Sequence, residues 1–304
     1  MTKSDPFAVM GSTRPSFLLL APVCVLLGVM TAASGNLPLD GLSLIIALIG
    51  AAIAHVSVNA LNAYEGFRSG LDLRTSRTPF SGGSGTLVAH PHLARQVQGI
   101  GLASLALTAL CGLFLLFRSG WGLLPLGVLG LGLIYFYTSR INHNRWLCLI
   151  APGLGFGPLM VLGTHYAITG AWSGSAAVAS LIPFFLVSNL LLLNQFPDVE
   201  ADRSVGRDNL PIALGLNSAL QVYGLFALLA FLGLGLGVIA GLLPSGALLG
   251  LVTLPAALVV YLAVRRILGQ GGSLVPALLA PMGINVALTL ATPVLMALGI
   301  WLWP

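Results

Sequence analysis

The chain predicts an all-α fold, a polytopic membrane bundle of nine transmembrane helices with its N-terminus in the cytoplasm. Three observations predict it. Of 304 residues, 57% are hydrophobic and only 7% charged, about a quarter of the charged content usual for soluble domains. The mean hydropathy is +0.98, and apolar runs of about twenty residues recur, the length a helix needs to cross a bilayer. The basic residues, finally, divide unevenly between alternate loops. Disorder is excluded because so much apolar material is available to bury. An outer-membrane barrel would alternate polar and apolar residues with a short period, and these runs do not. Cys24, Cys111 and Cys148 all lie within apolar runs and read as small hydrophobes, not as a disulfide framework or metal site. No nucleic-acid partner is expected.

The runs place spans near 16–34, 42–63, 97–117, 121–138, 147–168, 175–195, 216–242, 246–264 and 281–302. Backbone polar groups in lipid must be paired internally, so each run is read as a helix. The first exceeds the usual apolar core of a signal peptide, about 7–15 residues, and is kept as a span. The charge-free stretch 267–280, with Gly269, Gly271 and Gly272, is expected at the interface. Glycines inside spans, as in 231–237, are read as packing sites where helices approach closely. With nine spans, one side receives Lys3, Arg14, Arg68, Arg74, Arg77, Arg95, Arg140, Arg145, Arg203, Arg207, Arg265 and Arg266, and the other only Arg118. The positive-inside rule then puts the N-terminus and the richly charged loops in the cytoplasm. The expected location is the inner (cytoplasmic) membrane, multi-pass.

Acidic residues are the scarcest chemistry in the chain, eight in all. Asp5 and Asp40 are isolated. The rest fall in two cytoplasmic segments: Glu65 and Asp72 after the second span, and Asp198, Glu200, Asp202 and Asp208 after the sixth. Each cluster follows asparagines near a helix end, Asn59 and Asn62 in one case and Asn194 in the other. The two spans are four apart, which suggests a four-plus-four duplication. Asn194, Asp198 and Asp202 stand at i, i+4 and i+8, so one helix face would present all three. Asn62 and Glu65 are three apart, and Asp72 would return to a similar face if the helix continues past Gly70. Carboxylates and amide oxygens are hard ligands that suit Mg²⁺, which usually binds through substrate phosphates as well. Arginines interleave the acids: Arg68, Arg74 and Arg77 beside the first cluster, Arg203 and Arg207 beside the second. Acid alone suggests a cation; acid with guanidinium forks suggests a metal-bridged diphosphate. Glu200, Asp208, Arg95 and Arg266 read as solvated loop charges.

The stretch from Asn59 to Asp72 (NALNAYEGFRSGLD) resembles the first aspartate-rich motif of the UbiA superfamily of intramembrane prenyltransferases. It is most similar to the MenA-like branch, which prenylates dihydroxynaphthoate. The stretch from Asn194 to Arg207 (NQFPDVEADRSVGR) resembles the second motif. Arg14-Pro15 at the first span, Arg77 before Gly82-Gly-Ser-Gly85, and Tyr137-Thr-Ser-Arg140 closing the fourth span are weaker matches. The resemblance covers nearly all of residues 1–304, so one domain is expected. Where the branch carries two aspartates in its first motif, this chain has Ala63 and Gly66, with Glu65 the nearest replacement.

The resemblance implies Mg²⁺-dependent transfer of an isoprenyl group from an allylic isoprenyl diphosphate to an aromatic, quinone-precursor-like acceptor, within membrane lipid. It assigns Asn62, Glu65, Asp72, Asn194, Asp198 and Asp202 to the metal, the four carboxylates also being the catalytic set. Arg14, Arg68, Arg77, Tyr137, Arg140 and Arg203 go to the diphosphate. Departure of diphosphate leaves an allylic cation that needs a water-poor pocket; Tyr64, Tyr135, Tyr137, Phe156 and Tyr166 are candidates to face it. His55 is read as hydrogen-bonded inside its helix, His143 as a short-loop residue and His165 as lying near the opposite face; none receives a role. A membrane terpene cyclase that uses no aromatic acceptor is the main alternative. A secondary transporter is less favoured, because its coupling charges should lie near mid-membrane and these lie at helix ends.

Overall fold

The computed structural model describes residues 6–35, 38–271 and 273–303; Lys3, Asp5, Gly272 and Pro304 lie outside them. No β-strand occurs among the described residues. Eight helices are long and apolar enough to cross a membrane, and a further apolar helix is shorter. In chain order these are α1 (Pro15–Ala33), α2 (Gly41–Arg68), α3 (Pro91–Ser119), α4 (Leu123–Phe136), α5 (Arg145–Thr169), α6 (Gly174–Asn194), α7 (Leu216–Ile239), α8 (Ser245–Gln270) and α9 (Leu274–Leu302). Each expected span coincides with one of them. The short α4, at about 1.5 Å per residue, reaches only about 21 Å, less than a hydrocarbon core of about 30 Å. The stretch expected at the interface, 267–280, holds the end of α8 and the start of α9. Gly271, at φ +66°, makes the break there, and α9 begins at Leu274 with Pro281 inside it.

Local chemistry sets the helix starts. Asp40 caps α2 by accepting from the Leu42 amide (3.1 Å), Asn144 caps α5 through the Trp146 and Leu147 amides, and Ser173 caps α6. Packing then follows small residues. Gly153 and Gly157 of α5 lie on the backbone of α6 at Phe184 and Ser180, where an added Cβ would overlap a carbonyl oxygen. The same close approach is how small-residue stripes join helices in lipid. In α2 and α3 the Ser57 hydroxyl donates to the Gly101 carbonyl at 2.7 Å. Helices α6, α7 and α9 are tied by buried amides: Asn189 donates to the Tyr223 carbonyl and the Tyr223 hydroxyl to Asn285, both at 2.8 Å. Helix α9 also packs along α1, which brings the last helix against the first.

The bundle has two chemically different ends. At one, Arg118 forms a bidentate pair with Asp40, which joins the lone basic residue of that side to its lone acid. The Arg118 guanidinium, with the Ser43 hydroxyl, holds the Asp40 carboxyl below its ordinary range. At the other end the charged loops meet: Arg74 donates to Ser204, Arg145 pairs with Asp208 at 2.9 Å, and the Asp208 amide donates to the Asn142 carbonyl. Segments 64–96, 139–146 and 196–215 therefore share one end, the grouping that alternating spans require. Exposed Ser76 lies at that end and exposed Gly174 at the other. In sealed right-side-out vesicles, Gly174→Cys should react with an impermeant maleimide and Ser76→Cys only after permeabilisation. Labelling of both from one side overturns the alternation, and the reverse pattern overturns the orientation.

Candidate active site

The second cluster does not lie on one continuous helix. Helix α6 ends at Asn194, residues 195–198 form a turn, and a short helix, Val199–Ser204, follows with Asp198 at its N-cap position. Pro197 accounts for the interruption, because it disfavours helical backbone in the residue before it and brings no N–H of its own. The i, i+4 relation survives beyond the turn, where the Asp202 amide donates to the Asp198 carbonyl at 2.8 Å. Nor does α2 continue past Gly70. Gly70 takes the left-handed conformation (φ +76°) and the chain reverses into a 3₁₀ turn, Leu71–Leu73. The reversal folds Asp72 back onto Gly66, where an added Cβ would stand 2.6 Å from its Oδ1. Gly83, also at positive φ, meets the same carboxylate from the other side.

These turns enclose a polar cavity of about 100 Å³ bordered by Asn62, Asp72, Asn194, Asp198 and Asp202, the two arginines Arg14 and Arg207, and the glycine loop 82–84. Asp72 is 6% exposed and Asp202 2%. Asp198 Oδ2 accepts from the Gly82 amide at 3.0 Å, while its Oδ1 and the Oδ1 of Asn194 are buried with no partner among the described residues. Asp202 accepts from Arg207 Nη1 (3.1 Å) and Asn209 Nδ2 (2.8 Å). Removing one member of so buried a pair would strand a charge, at a cost of about 3–5 kcal/mol. Burial lifts the Asp72 carboxyl to about 6. Burial and the neighbouring Asp202 charge lift Asp198 to about 7, and burial raises Asp202 despite Arg207. Carboxyls so reluctant to ionise, beside two orphaned oxygens, suit a hard divalent cation. Among the described residues no three His, Cys, Asp or Glu side chains converge tightly enough to hold a metal by themselves. Mg²⁺ fits that shortfall, since it keeps waters and phosphate oxygens in its shell.

Other expected residues stand apart. Asn59, Asn62, Ala63 and Gly66 line the cavity. At about 100° per residue, Glu65 points about 110° away from the centre of that face. It pairs instead with exposed Arg68 at 3.6 Å. Arg203 pairs with Glu200 on the surface, and Arg140 is exposed at the end of the 137–140 turn. Arg77 is exposed too, packed on Gly85, but its charge is felt at Asp72. Arg207 and Asn209 border the cavity although neither was assigned to it; Arg207 lies five residues beyond Asp202, outside helical pairing distance, so only the turn at Gly206 (φ +76°) brings it back. Arg14 is itself in the left-handed region (φ 51°), its guanidinium donating to the Phe80 carbonyl and lying over the Phe17 ring.

A second, apolar cavity of about 470 Å³ adjoins the first, and Arg14, Asn59, Asn62, Tyr137, Leu191 and Asn194 border both. It follows α2 from Asn62 to Ala47, about 22 Å at helical rise, between α3, α4, α5 and α6. Tyr137 and Phe156 line it; Tyr64, Tyr135 and Tyr166 do not.

Comparison with known proteins identifies the family and the fold. The model of the UbiA prenyltransferase family matches residues 21–275. A 1,4-dihydroxy-2-naphthoate octaprenyltransferase of Mycobacterium tuberculosis is 31% identical over 77% of this chain and 78% of its own. Its Bacillus subtilis counterpart is 28% identical over 69% of this chain and 67% of its own. A UbiA homolog from Archaeoglobus fulgidus, solved bound to DMAPP and Mg²⁺, superposes with a TM-score of 0.60 at 18% identity, covering 95% of this chain and 98% of that one. The family match over most of the length, with that degree of identity to a named prenyltransferase, makes this multi-pass membrane protein a member of the UbiA prenyltransferase family.

Proposed function

We propose that the protein transfers an isoprenyl group from an allylic isoprenyl diphosphate to a hydroxylated aromatic ring of the dihydroxynaphthoate type, with Mg²⁺ and from the cytoplasmic side of the inner membrane. The observation that carries this reading is the seam between the two cavities. A charged cavity suited to metal and diphosphate opens, past Arg14, Asn62, Tyr137 and Asn194, on an apolar one long enough for a hydrocarbon tail. The dihydroxynaphthoate prenyltransferases among its relatives and the homolog solved with DMAPP and Mg²⁺ support it.

In this reading Asp72, Asp198 and Asp202 hold the cation with the amide oxygens of Asn62 and Asn194. When bound, the metal neutralises charge on the departing diphosphate. Arg14 and Arg207 donate to the remaining phosphate oxygens, an electrostatic contribution that grows as the leaving group takes up charge. The Gly82 amide keeps Asp198 aimed into the cavity. Leucines and glycines of the long cavity exclude water from the allylic cation, and Tyr137 and Phe156 offer it ring faces.

Incubation of purified protein with a prenyl diphosphate and Mg²⁺, with and without 1,4-dihydroxy-2-naphthoate, tests the reading. A prenylated ring formed only in the complete mixture is expected. A cyclic hydrocarbon or alcohol made without the ring would assign the chain to cyclisation instead. Asp198→Asn should lower turnover by about two orders of magnitude, as loss of a strong transition-state contact does, and it is the cleaner variant because its Oδ1 has no protein partner to strand. Near-normal turnover in folded protein would remove Asp198 from the metal site.

The first motif yields a separate expectation. Glu65→Gln removes only an exposed ion pair, worth less than about 1 kcal/mol, so its magnesium titration should superimpose on that of the wild type. Gly66→Asp, though it restores a familiar acidic position, places a Cβ against Asp72 and should raise the magnesium requirement severalfold. A higher magnesium requirement in Glu65→Gln, rescued by Gly66→Asp, would instead make Glu65 a ligand.

A further inference from the structure

The histidines differ in one respect that the mechanism above does not use. His143 bonds the Gly206 carbonyl at 2.8 Å, and His165 the Thr31 hydroxyl at 3.0 Å; the Nε2 of His165 is buried without a partner among the described residues, but that ring borders neither cavity. His55, expected to be hydrogen-bonded within its helix, makes no hydrogen bond among the described residues. It is 5% exposed, and its Nδ1 is buried without a partner. The ring lines the apolar cavity and stands edge-on to Phe156, centroids 4.9 Å apart at 72°. Phe156 belongs to a π-helical stretch of α5, Gly155–Leu162, which contains Pro158. Such widened turns are rare and concentrate at functional sites.

Position along α2 narrows what His55 could meet. It lies one turn, about 6 Å, beyond Asn59 and away from the carboxylates. The diphosphate ends at the polar seam, and the rest of a prenyl donor is hydrocarbon with nothing to offer an imidazole. An aromatic acceptor must stand beside the first carbon of the prenyl chain, just inside the seam, and its ring carries hydroxyls. A neutral imidazole has one donor and one acceptor nitrogen, and a hydroxyl, which can act as either donor or acceptor, can bond whichever nitrogen faces it. Thr108, another polar group on this wall, has its hydroxyl committed to the Ser104 carbonyl at 2.9 Å.

We infer that His55 hydrogen-bonds a ring hydroxyl of the aromatic acceptor and thereby selects hydroxylated rings, with the T-shaped contact to Phe156 fixing the imidazole plane. The inference rests on the prenyl-transfer reading and adds to it a specificity-determining residue.

The test measures binding of 1,4-dihydroxy-2-naphthoate and of its two analogues that each lack one ring hydroxyl. Naphthoate fluorescence reports affinity, with Mg²⁺ and an unreactive prenyl thiodiphosphate filling the donor site. Wild-type protein should bind the dihydroxy ring about tenfold more tightly than one of the two analogues, the loss expected for one buried hydrogen bond. His55→Phe should bind all three within about twofold of one another, and His55→Gln should restore part of the difference. The KM for the prenyl diphosphate should move less than about twofold in both variants. Discrimination that survives in His55→Phe overturns the inference, as does a KM for prenyl diphosphate that rises in step with loss of the ring. Should His55→Phe fail to fold, His55→Ala decides by the same criteria. A wild-type enzyme that prenylates the ring yet binds all three alike overturns this inference alone. One that consumes no prenyl diphosphate overturns the transfer reading and this with it.

Discussion

Three of the chain's eight acidic residues are held largely out of water at one end of the bundle, and most of the local architecture there follows from making that tolerable. Asp202 is paired with Arg207 and accepts a further hydrogen bond from Asn209, Asp198 accepts from a backbone amide of the glycine loop, and Asp72 feels the fields of surrounding arginines. Burial still pushes all three carboxyls upward. A buried charge left partly unpaired is among the most costly features a fold can retain. In the proposed function a bound cation would relieve that cost, and the two oxygens without a partner among the described residues, Asp198 Oδ1 and Asn194 Oδ1, would face it.

That constraint reaches into the loops. Asp72 can sit where it does only because Gly66 and Gly83 have no side chain to occupy its volume, and Gly70 can reverse the chain at positive φ without a Cβ penalty. Arg14 accepts a left-handed backbone, which a non-glycine residue rarely adopts, in a place where its guanidinium borders both cavities. Strain of this kind costs about 1–3 kcal/mol and persists where the surroundings over-determine it. Here the Phe80 carbonyl and the Phe17 ring do so.

Joining a polar cavity to an apolar one also explains the membrane setting. The long cavity lies between helices whose outer faces are leucine-rich, and its lining offers few polar groups besides those at the seam and His55. A hydrocarbon chain gains nothing by entering such a space from lipid, but in the proposed reaction the cation formed at its mouth would be kept from water. At the opposite end, among the described residues, one arginine and one acid, Arg118 and Asp40, neutralise one another.

Composition and run length by themselves determined the helical bundle and the position of every apolar helix to within a few residues at most ends, because the bilayer allows no other spanning structure and imposes a length. Charge scarcity likewise marked Asp72, Asp198 and Asp202, since a chain so poor in acids has no solvation reason to cluster them. What the sequence could not determine was direction. Helix phase turns Glu65 onto the outer face with Arg68, although its spacing from Asn62 looked favourable. Pro197 breaks the helix on which Asn194, Asp198 and Asp202 were expected to align, yet the turn returns them to one cavity. Of the arginines interleaved with the acids, Arg207 joins Arg14 at the cavity while Arg68 and Arg203 pair on the surface, because the reversal at Gly206, not helical periodicity, sets where Arg207 points. His55 has no hydrogen-bond partner among the described residues because the neighbouring helices there supply none. These outcomes depend on which faces of separate helices meet across the bundle, and a periodicity of 3.6 residues specifies a face without naming its neighbour.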